Sequence, residues 1–157
     1  MALAYLGLGS NLGNGTENLN RSLDLLNRQV GTVKAVSVYV ESEPWGFESE
    51  HRFTNAVCAI ETSLDPMQLL DETQAVERQM GRTHKHGPGE SYTDRIIDID
   101  ILMYDAAPLE NPCRKPGVGL FLESERLTLP HPLIFEREFV WGPLADCYKR
   151  LLATQSE

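Results

Sequence analysis

Two aspartates two positions apart, Asp98 and Asp100, stand inside the apolar run Ile96-Ile97-Asp98-Ile99-Asp100-Ile101-Leu102 and give the chain its sharpest chemical signal. On an extended strand, residues two apart share a face, so Ile97, Ile99 and Ile101 would turn into a core while both carboxylates stand together opposite. Carboxylates held that close repel each other unless a cation neutralises them. Magnesium suits such a pair, because it takes oxygen ligands and often needs only one or two protein carboxylates plus substrate phosphates. A bare Asp-x-Asp is as readily two solvated acids on an exposed strand. The neighbourhood tips the balance, since the stretch from Arg82 to Arg95 also holds His84, Lys85 and His86 within fourteen residues. Arginine grips phosphate oxygens in bidentate fashion and lysine acts as a point charge. Gly87, Pro88 and Gly89 would let that segment close as a lid. His84 and His86 have no third nitrogen or sulfur ligand nearby, which sets a zinc site aside.

Three further segments carry candidate chemistry. Arg126-Leu-Thr128-Leu-Pro130-His131-Pro132 alternates so that Arg126 and Thr128 share a side and His131 is delivered to the same place, with Arg137-Glu-Phe139 following. Arginine, hydroxyl and imidazole together suit a nucleotide, although such a segment alone is more often a turn entering a helix. Trp45, Phe53 and Asn55 suit a flat heterocycle, because an aromatic ring offers a stacking face and an amide offers both donor and acceptor. Gly7-Leu-Gly9-Ser10-Asn11-Leu-Gly13 lacks the Gly-Lys-Ser/Thr ending of a phosphate loop and misses the dinucleotide spacing. It reads as a strand-to-helix turn near the site.

The elements that must position these residues follow from periodicity. Ala2 to Leu8 reads as a buried strand broken by Gly9-Ser10-Asn11. Leu19, Leu23, Leu26 and Val30 recur at helical spacing, so a helix runs from about Thr16 to Val30. Val33 to Val40 and Asn55 to Glu61 read as strands, separated by a loop with Pro44, Trp45 and Gly46. Asp65-Pro66 is an N-cap with proline at the first helical position, and Gly81 stops the helix that follows. Ile96 to Tyr104 is a fourth strand. The order is β-α-β-β-α-β, with two helices expected over one face of an antiparallel sheet. Asp105 to Glu125 reads as a long excursion, Pro132 to Trp141 as a short helix, and Leu144 to Leu152 as a shorter one. No repeat or linker divides residues 1–157, which read as a single domain.

The bulk properties narrow the function classes. A hydrophobic fraction of 41% and a charged fraction of 24% are ordinary for a globular chain. The opening apolar stretch is too short to span a bilayer and has no basic segment before it, so neither a membrane span nor a signal peptide is expected. A net charge of −9 argues against general nucleic-acid binding, yet leaves room for one polyanionic small ligand at a local basic cluster. Cys58, Cys113 and Cys147 are scattered, and a reducing cytoplasm is the expected setting.

Taken together, the ordered segments resemble the 6-hydroxymethyl-7,8-dihydropterin pyrophosphokinases of folate biosynthesis, over about Ala2 to Leu144. The segments are Gly9-Ser10-Asn11-Leu12, Ser42-Glu43-Pro44-Trp45-Gly46, Phe53-Thr-Asn55-Ala, Glu77, Gly81-Arg82, Asp94 through Leu102, and Arg126 through Pro132. The resemblance implies a ferredoxin-like α+β sandwich with a C-terminal extension. It also implies transfer of pyrophosphate from ATP, the co-substrate, to the pterin hydroxymethyl group, with release of AMP. Asp98 and Asp100 would bind two magnesium ions, and Arg82 and Arg95 would meet the phosphates in catalysis. Glu77, His84, Lys85, Tyr92, Ile101, Arg126, Thr128, His131 and Arg137 match positions that contact the nucleotide. Phe53 and Phe139 would sandwich the pterin, with Asn55 and the backbone of Ser42 and Trp45 reading its edge. Some relatives carry tyrosine at Phe53, arginine at His84 and tryptophan at Tyr92. The partners expected are these small molecules alone, with no nucleic acid, no membrane and a monomeric chain.

Two other readings compete. A metal-dependent nucleotidyl or sugar-nucleotide transferase would explain Asp98 and Asp100 but not Trp45, Phe53 and Asn55. A non-catalytic ferredoxin-like binding module would have no use for paired carboxylates facing an arginine-rich lid.

Overall fold

The computed structural model describes residues 1–43, 52–81, 96–106 and 119–155. Strand β1 (Ala2–Ser10) leads through a turn into helix α1 (Gly15–Gln29), and β2 (Thr32–Val36) and β3 (Val40–Ser42) follow. Next come β4 (Phe53–Thr62), helix α2 (Pro66–Gln79) and β5 (Asp98–Asp105). A small hairpin, β6 (Leu122–Glu123) with β7 (Thr128–Leu129), precedes a 3₁₀ turn (Ile134–Glu136) and helix α3 (Glu138–Gln155).

The central sheet runs β2-β4-β1-β5, with β3 continuing the β2 side of β4, and every pairing is antiparallel. This is the expected α+β order, a ferredoxin-like sandwich of sheet and helices. The strand expected from Val33 to Val40 is interrupted at residues 37–39, where the Ser37 hydroxyl accepts the Val57 N–H in place of a regular ladder bond. The first strand continues through Gly9 to Ser10 instead of breaking at Gly9. After it, Asn18 Nδ2 donates to Ser10 Oγ and to the Leu12 carbonyl, which ties the turn to the start of α1.

Helix α1 is capped by Asn14, whose side chain accepts the Glu17 N–H. Helix α2 has the expected Asp65 cap with proline in its first turn, and Gly81 leaves it at φ +100°, a conformation that favours glycine. Their apolar stripes, Leu19, Leu26, Leu69 and Val76 among them, pack on Ala4, Leu6, Cys58, Ile60, Ile99 and Ile101. Where two short helices were expected in the C-terminal region, a 3₁₀ turn and one 18-residue helix stand, and α3 tolerates Pro143 in its second turn. As the sixth residue of the helix, Pro143 has no N–H to give the Phe139 carbonyl and its ring crowds that carbonyl, a cost of about 3 kcal/mol that the packing of α3 must offset. Helix α3 covers the opposite face of the sheet, burying Leu144, Cys147 and Leu151 against Leu3, Tyr5, Val57, Ala59 and Leu102.

Candidate active site

Helix α3 covers only part of its face. The uncovered part is a cleft lined by Gly7, Gly9, Phe53, Asn55, Val57, Asp98, Asp100, Leu102, His131, Arg137, Phe139 and Val140. Its floor comes from three strands in register. Gly9 pairs with Asn55 on one side and Asp98 on the other, and Gly7 pairs with Val57 and Asp100. Adjacent strands lie about 4.8 Å apart, so Asn55 and Asp98 sit roughly 10 Å apart across Gly9.

On β5 the expected alternation holds. Ile97, Ile99 and Ile101 are buried on the α1/α2 side, while Asp98 and Asp100 are half-buried in the cleft. A register shift between Tyr5 and Leu6 skips Leu102, since Tyr5 pairs with Met103 and Leu6 with Ile101, and Leu102 and Met103 both belong to the α3 face. The bulge separates the strand's cleft-facing end from its packing end. A buried carboxylate steadies this edge strand from outside: Glu77 of α2, 2% exposed, accepts the Ile99 N–H at 2.9 Å. That bond falls between the two aspartates. Among the described residues no group of three or more His, Cys, Asp and Glu side chains could hold a metal. A pair of hard oxygen donors aimed into a cleft fits magnesium that arrives with phosphates.

At the other end of the row, Asn55 is 5% exposed, and its Nδ2 donates to Ser42 Oγ at 2.8 Å and to the Val40 carbonyl at 3.4 Å. Its donor capacity is thereby committed, where the sequence suggested that both ends of the amide were available. Phe53 lies two residues away on the same face, and Phe139 and Val140 at the start of α3 form the facing wall. Arg137, 8% exposed, places its guanidinium carbon 5.9 Å from the centre of the Phe139 ring, within cation–π reach. His131 is anchored by its own N–H to the Leu102 carbonyl at 2.8 Å, and its Nδ1 accepts the Leu133 N–H at 3.2 Å. In the neutral ring the proton therefore rests on Nε2.

The expected residues divide into those that line the cleft, those that stand beside or away from it, and those outside the described residues. Phe53, Asn55, Asp98, Asp100, His131, Arg137 and Phe139 converge on the cleft. Ser42 stands behind Asn55, and Ile101 and Glu77 lie toward the α1/α2 side of β5. Arg126 and Thr128 do not join His131 in this cleft. Arg126 pairs with Asp71 of α2 at 2.6 Å, and Thr128 pairs with Glu123 in the small hairpin. Trp45, Arg82, His84, Lys85, Tyr92 and Arg95 lie outside the described residues. Gly7 and Gly9 were missed as site residues. Their signal was alternation: Leu3, Tyr5, Gly7 and Gly9 share one face of β1, and the large side chains stop where the cleft begins.

No cysteine in view offers a nucleophile. Burial pushes the Cys147 thiol up to about 12 and the Cys58 thiol well above its ordinary range.

The chain as a whole has matches among known proteins. The model of the 7,8-dihydro-6-hydroxymethylpterin-pyrophosphokinase (HPPK) family matches residues 5–149. The chain belongs to this family. It is 44% identical over 146 residues to the 2-amino-4-hydroxy-6-hydroxymethyldihydropteridine pyrophosphokinase of Porphyromonas gingivalis, covering 93% of this chain and 90% of that protein. The protein of the same name from Bacillus subtilis is 37% identical over 147 residues, covering 92% of this chain and 77% of the relative. Among solved structures, the wild-type HPPK-DHPS of Plasmodium falciparum superposes with a TM-score of 0.65 at 17% identity, which bears on fold alone. The superposition takes in 96% of this chain and 40% of that longer one. Family members are ATP-dependent diphosphotransferases, so ATP serves as co-substrate. No helix among the described residues is long and apolar enough to cross a membrane.

Proposed function

We propose that this cleft performs the family's reaction, transfer of pyrophosphate from ATP to the hydroxymethyl group of 6-hydroxymethyl-7,8-dihydropterin, in folate biosynthesis. The observation that carries the reading is the row Asn55–Gly9–Asp98, with a heterocycle slot at one end and a carboxylate pair at the other. The pterin ring lies between Phe53 and Phe139, and its hydroxymethyl carbon points along the row toward Asp98. The hydroxyl oxygen attacks the β-phosphorus of ATP in line, the bond to the α-phosphate oxygen breaks, and AMP leaves.

Asp98 and Asp100 would hold two magnesium ions, which when bound neutralise the phosphate charge and orient the attacking and leaving oxygens. The protein's own part is positioning and charge. His131 lines the cleft, and Arg137 adds a fixed positive charge at its wall. Arg82 and Arg95 would complete the charge on closure, with His84, Lys85 and Tyr92 as further contacts. Glu77, Ile101, Arg126 and Thr128 would hold the adenosine end, on the side of β5 that faces α2 and the small hairpin. The chain acts as a single-domain monomer in the cytoplasm, without nucleic acid.

The test is AMP release from ATP with magnesium, with and without the reduced pterin. Release in step with pterin consumption is expected, and none without pterin. AMP release that ignores the pterin, or its absence under both conditions, would overturn the reading.

A further inference from the structure

An amide side chain can present either end to a ligand, and the neighbours of Asn55 choose the end. The Val40 carbonyl can only accept, so the nitrogen of the amide must be the atom that faces it, at 3.4 Å. The second N–H donates to Ser42 Oγ at 2.8 Å. Both donors are then spent on the β3 side, away from the cleft floor. The oxygen lies on the other side, since a Cβ added at Gly9 would come within 3.3 Å of Asn55 Oδ1. Gly9 lines the cleft, so Oδ1 is the polar atom that Asn55 shows to an occupant.

We propose that Ser42 is a positioning residue, whose hydroxyl and the Val40 carbonyl together hold the Asn55 amide so that its oxygen faces the cleft. The pocket therefore reads a hydrogen-bond donor on the heterocycle, an amino group or ring N–H, and rejects a ring that presents an acceptor there. This rests on the proposed pterin slot and specifies its chemistry. Burial sharpens the selection, because a buried carbonyl oxygen facing another acceptor loses its hydrogen bond with no water to replace it. The role assigned to Ser42 resides in its side chain, distinct from any contact its backbone makes with the substrate.

The experiment is a double-mutant cycle on KM for the reduced pterin, with KM for ATP measured alongside. Ser42→Ala should raise the pterin KM about tenfold, the effect of one net hydrogen bond, and leave the ATP KM within twofold. Ser42→Thr, which keeps the hydroxyl, should restore the parent value within about threefold. Asn55→Ala should raise the pterin KM by more, and adding Ser42→Ala to it should change nothing further. A Ser42→Ala effect that persists without the Asn55 amide, or no effect in the Asn55-containing chain, overturns the positioning role and leaves the slot intact. If Asn55→Ala itself leaves the pterin KM unchanged, the slot reading fails instead.

Discussion

Replacing Gly9 by alanine tests the floor of the cleft directly. The added Cβ would lie 3.3 Å from Asn55 Oδ1 and 3.6 and 4.0 Å from two carbons of the Phe53 ring. The first contact is tighter than carbon and oxygen normally make, so the amide or the strand must give by a few tenths of an ångström. The amide has little room, because its nitrogen is held by Ser42 and Val40. Forcing a methyl into such a position costs about 1–3 kcal/mol, while alanine is favoured over glycine within a strand by roughly 0.5–1 kcal/mol. The steric cost exceeds the gain over most of that range, so the free enzyme should lose between about 0 and 2.5 kcal/mol of stability. With pterin seated on the floor, the methyl also takes space the ring needs. At about 1.4 kcal/mol per tenfold, the pterin should then bind roughly 10- to 100-fold more weakly. Gly7→Ala is the comparison, since the atoms nearest its Cβ would be those of the Leu102 side chain at 3.4 to 3.6 Å, ordinary van der Waals contact. Calorimetric titration with pterin, paired with urea unfolding of each variant, separates binding from stability. If Gly9→Ala binds pterin within twofold of the parent, the heterocycle does not sit on this floor and the reasoning fails.

The remaining predictions probe the carboxylate strand β5 and the buried core. Asp98→Ala and Asp100→Ala should each abolish turnover at saturating magnesium with the fold intact, because the isoleucines that anchor β5 face the other way; activity within tenfold of the parent in both would refute the pair's role. Glu77→Ala should lower stability by about 1–3 kcal/mol in urea unfolding by leaving the Ile99 N–H unpaired, whereas Glu77→Gln, which keeps an acceptor, should recover much of it. Stability should also fall as pH rises above 9.0, the ordinary thiol value, because an unfolded chain then loses protons that the buried Cys58 and Cys147 retain. Each thiol adds a slope of up to about 1.4 kcal/mol per pH unit, readable from unfolding curves taken between roughly pH 8 and 11.

The carboxylate pair was legible because a two-residue period on a strand needs no tertiary information, and Ile97, Ile99 and Ile101 confirmed the phase. The helix limits were legible for a similar reason: Asp65-Pro66 and Gly81 act through local backbone chemistry. Other features were set by partners distant in sequence. The fate of Arg126 depends on Asp71, 55 residues earlier, and no local pattern predicts that pairing. The commitment of the Asn55 donors depends on the register of β3 against β4. The continuity of α3 past Pro143 reflects the burial of Leu144, Cys147 and Leu151 against the sheet, a tertiary gain that outweighs a local breaker.

One boundary across the sheet explains why a single face can serve both as core and as site. Along β1 the face beneath α3 runs Leu3, Tyr5, Gly7, Gly9; along β4 it runs Ala59, Val57, Asn55, Phe53; along β5 it runs Met103, Leu102, Asp100, Asp98. β1 and β5 change character at the row of Gly7 and Asp100, and β4 one row later, where Val57 gives way to Asn55 beside Gly9. On one side of that row α3 finds a surface to bury. On the other side a helix would have to desolvate Asn55, Asp98 and Asp100 over a floor with no side chains to fill the gap, and each unpaired polar group would cost kilocalories. The face therefore stays open where the chemistry lies. Antiparallel register makes this economical, because it fixes the transverse order Asn55–Gly9–Asp98 through backbone hydrogen bonds alone. The distance between heterocycle slot and carboxylates is thus set by strand spacing and not by side-chain packing. A substitution that disturbs the α3 core should lower stability before it alters that distance, whereas a slip of β5 against β1 that keeps its isoleucines in the core must be two residues, about 6.6 Å, and would stop the reaction by carrying the carboxylates away from the row.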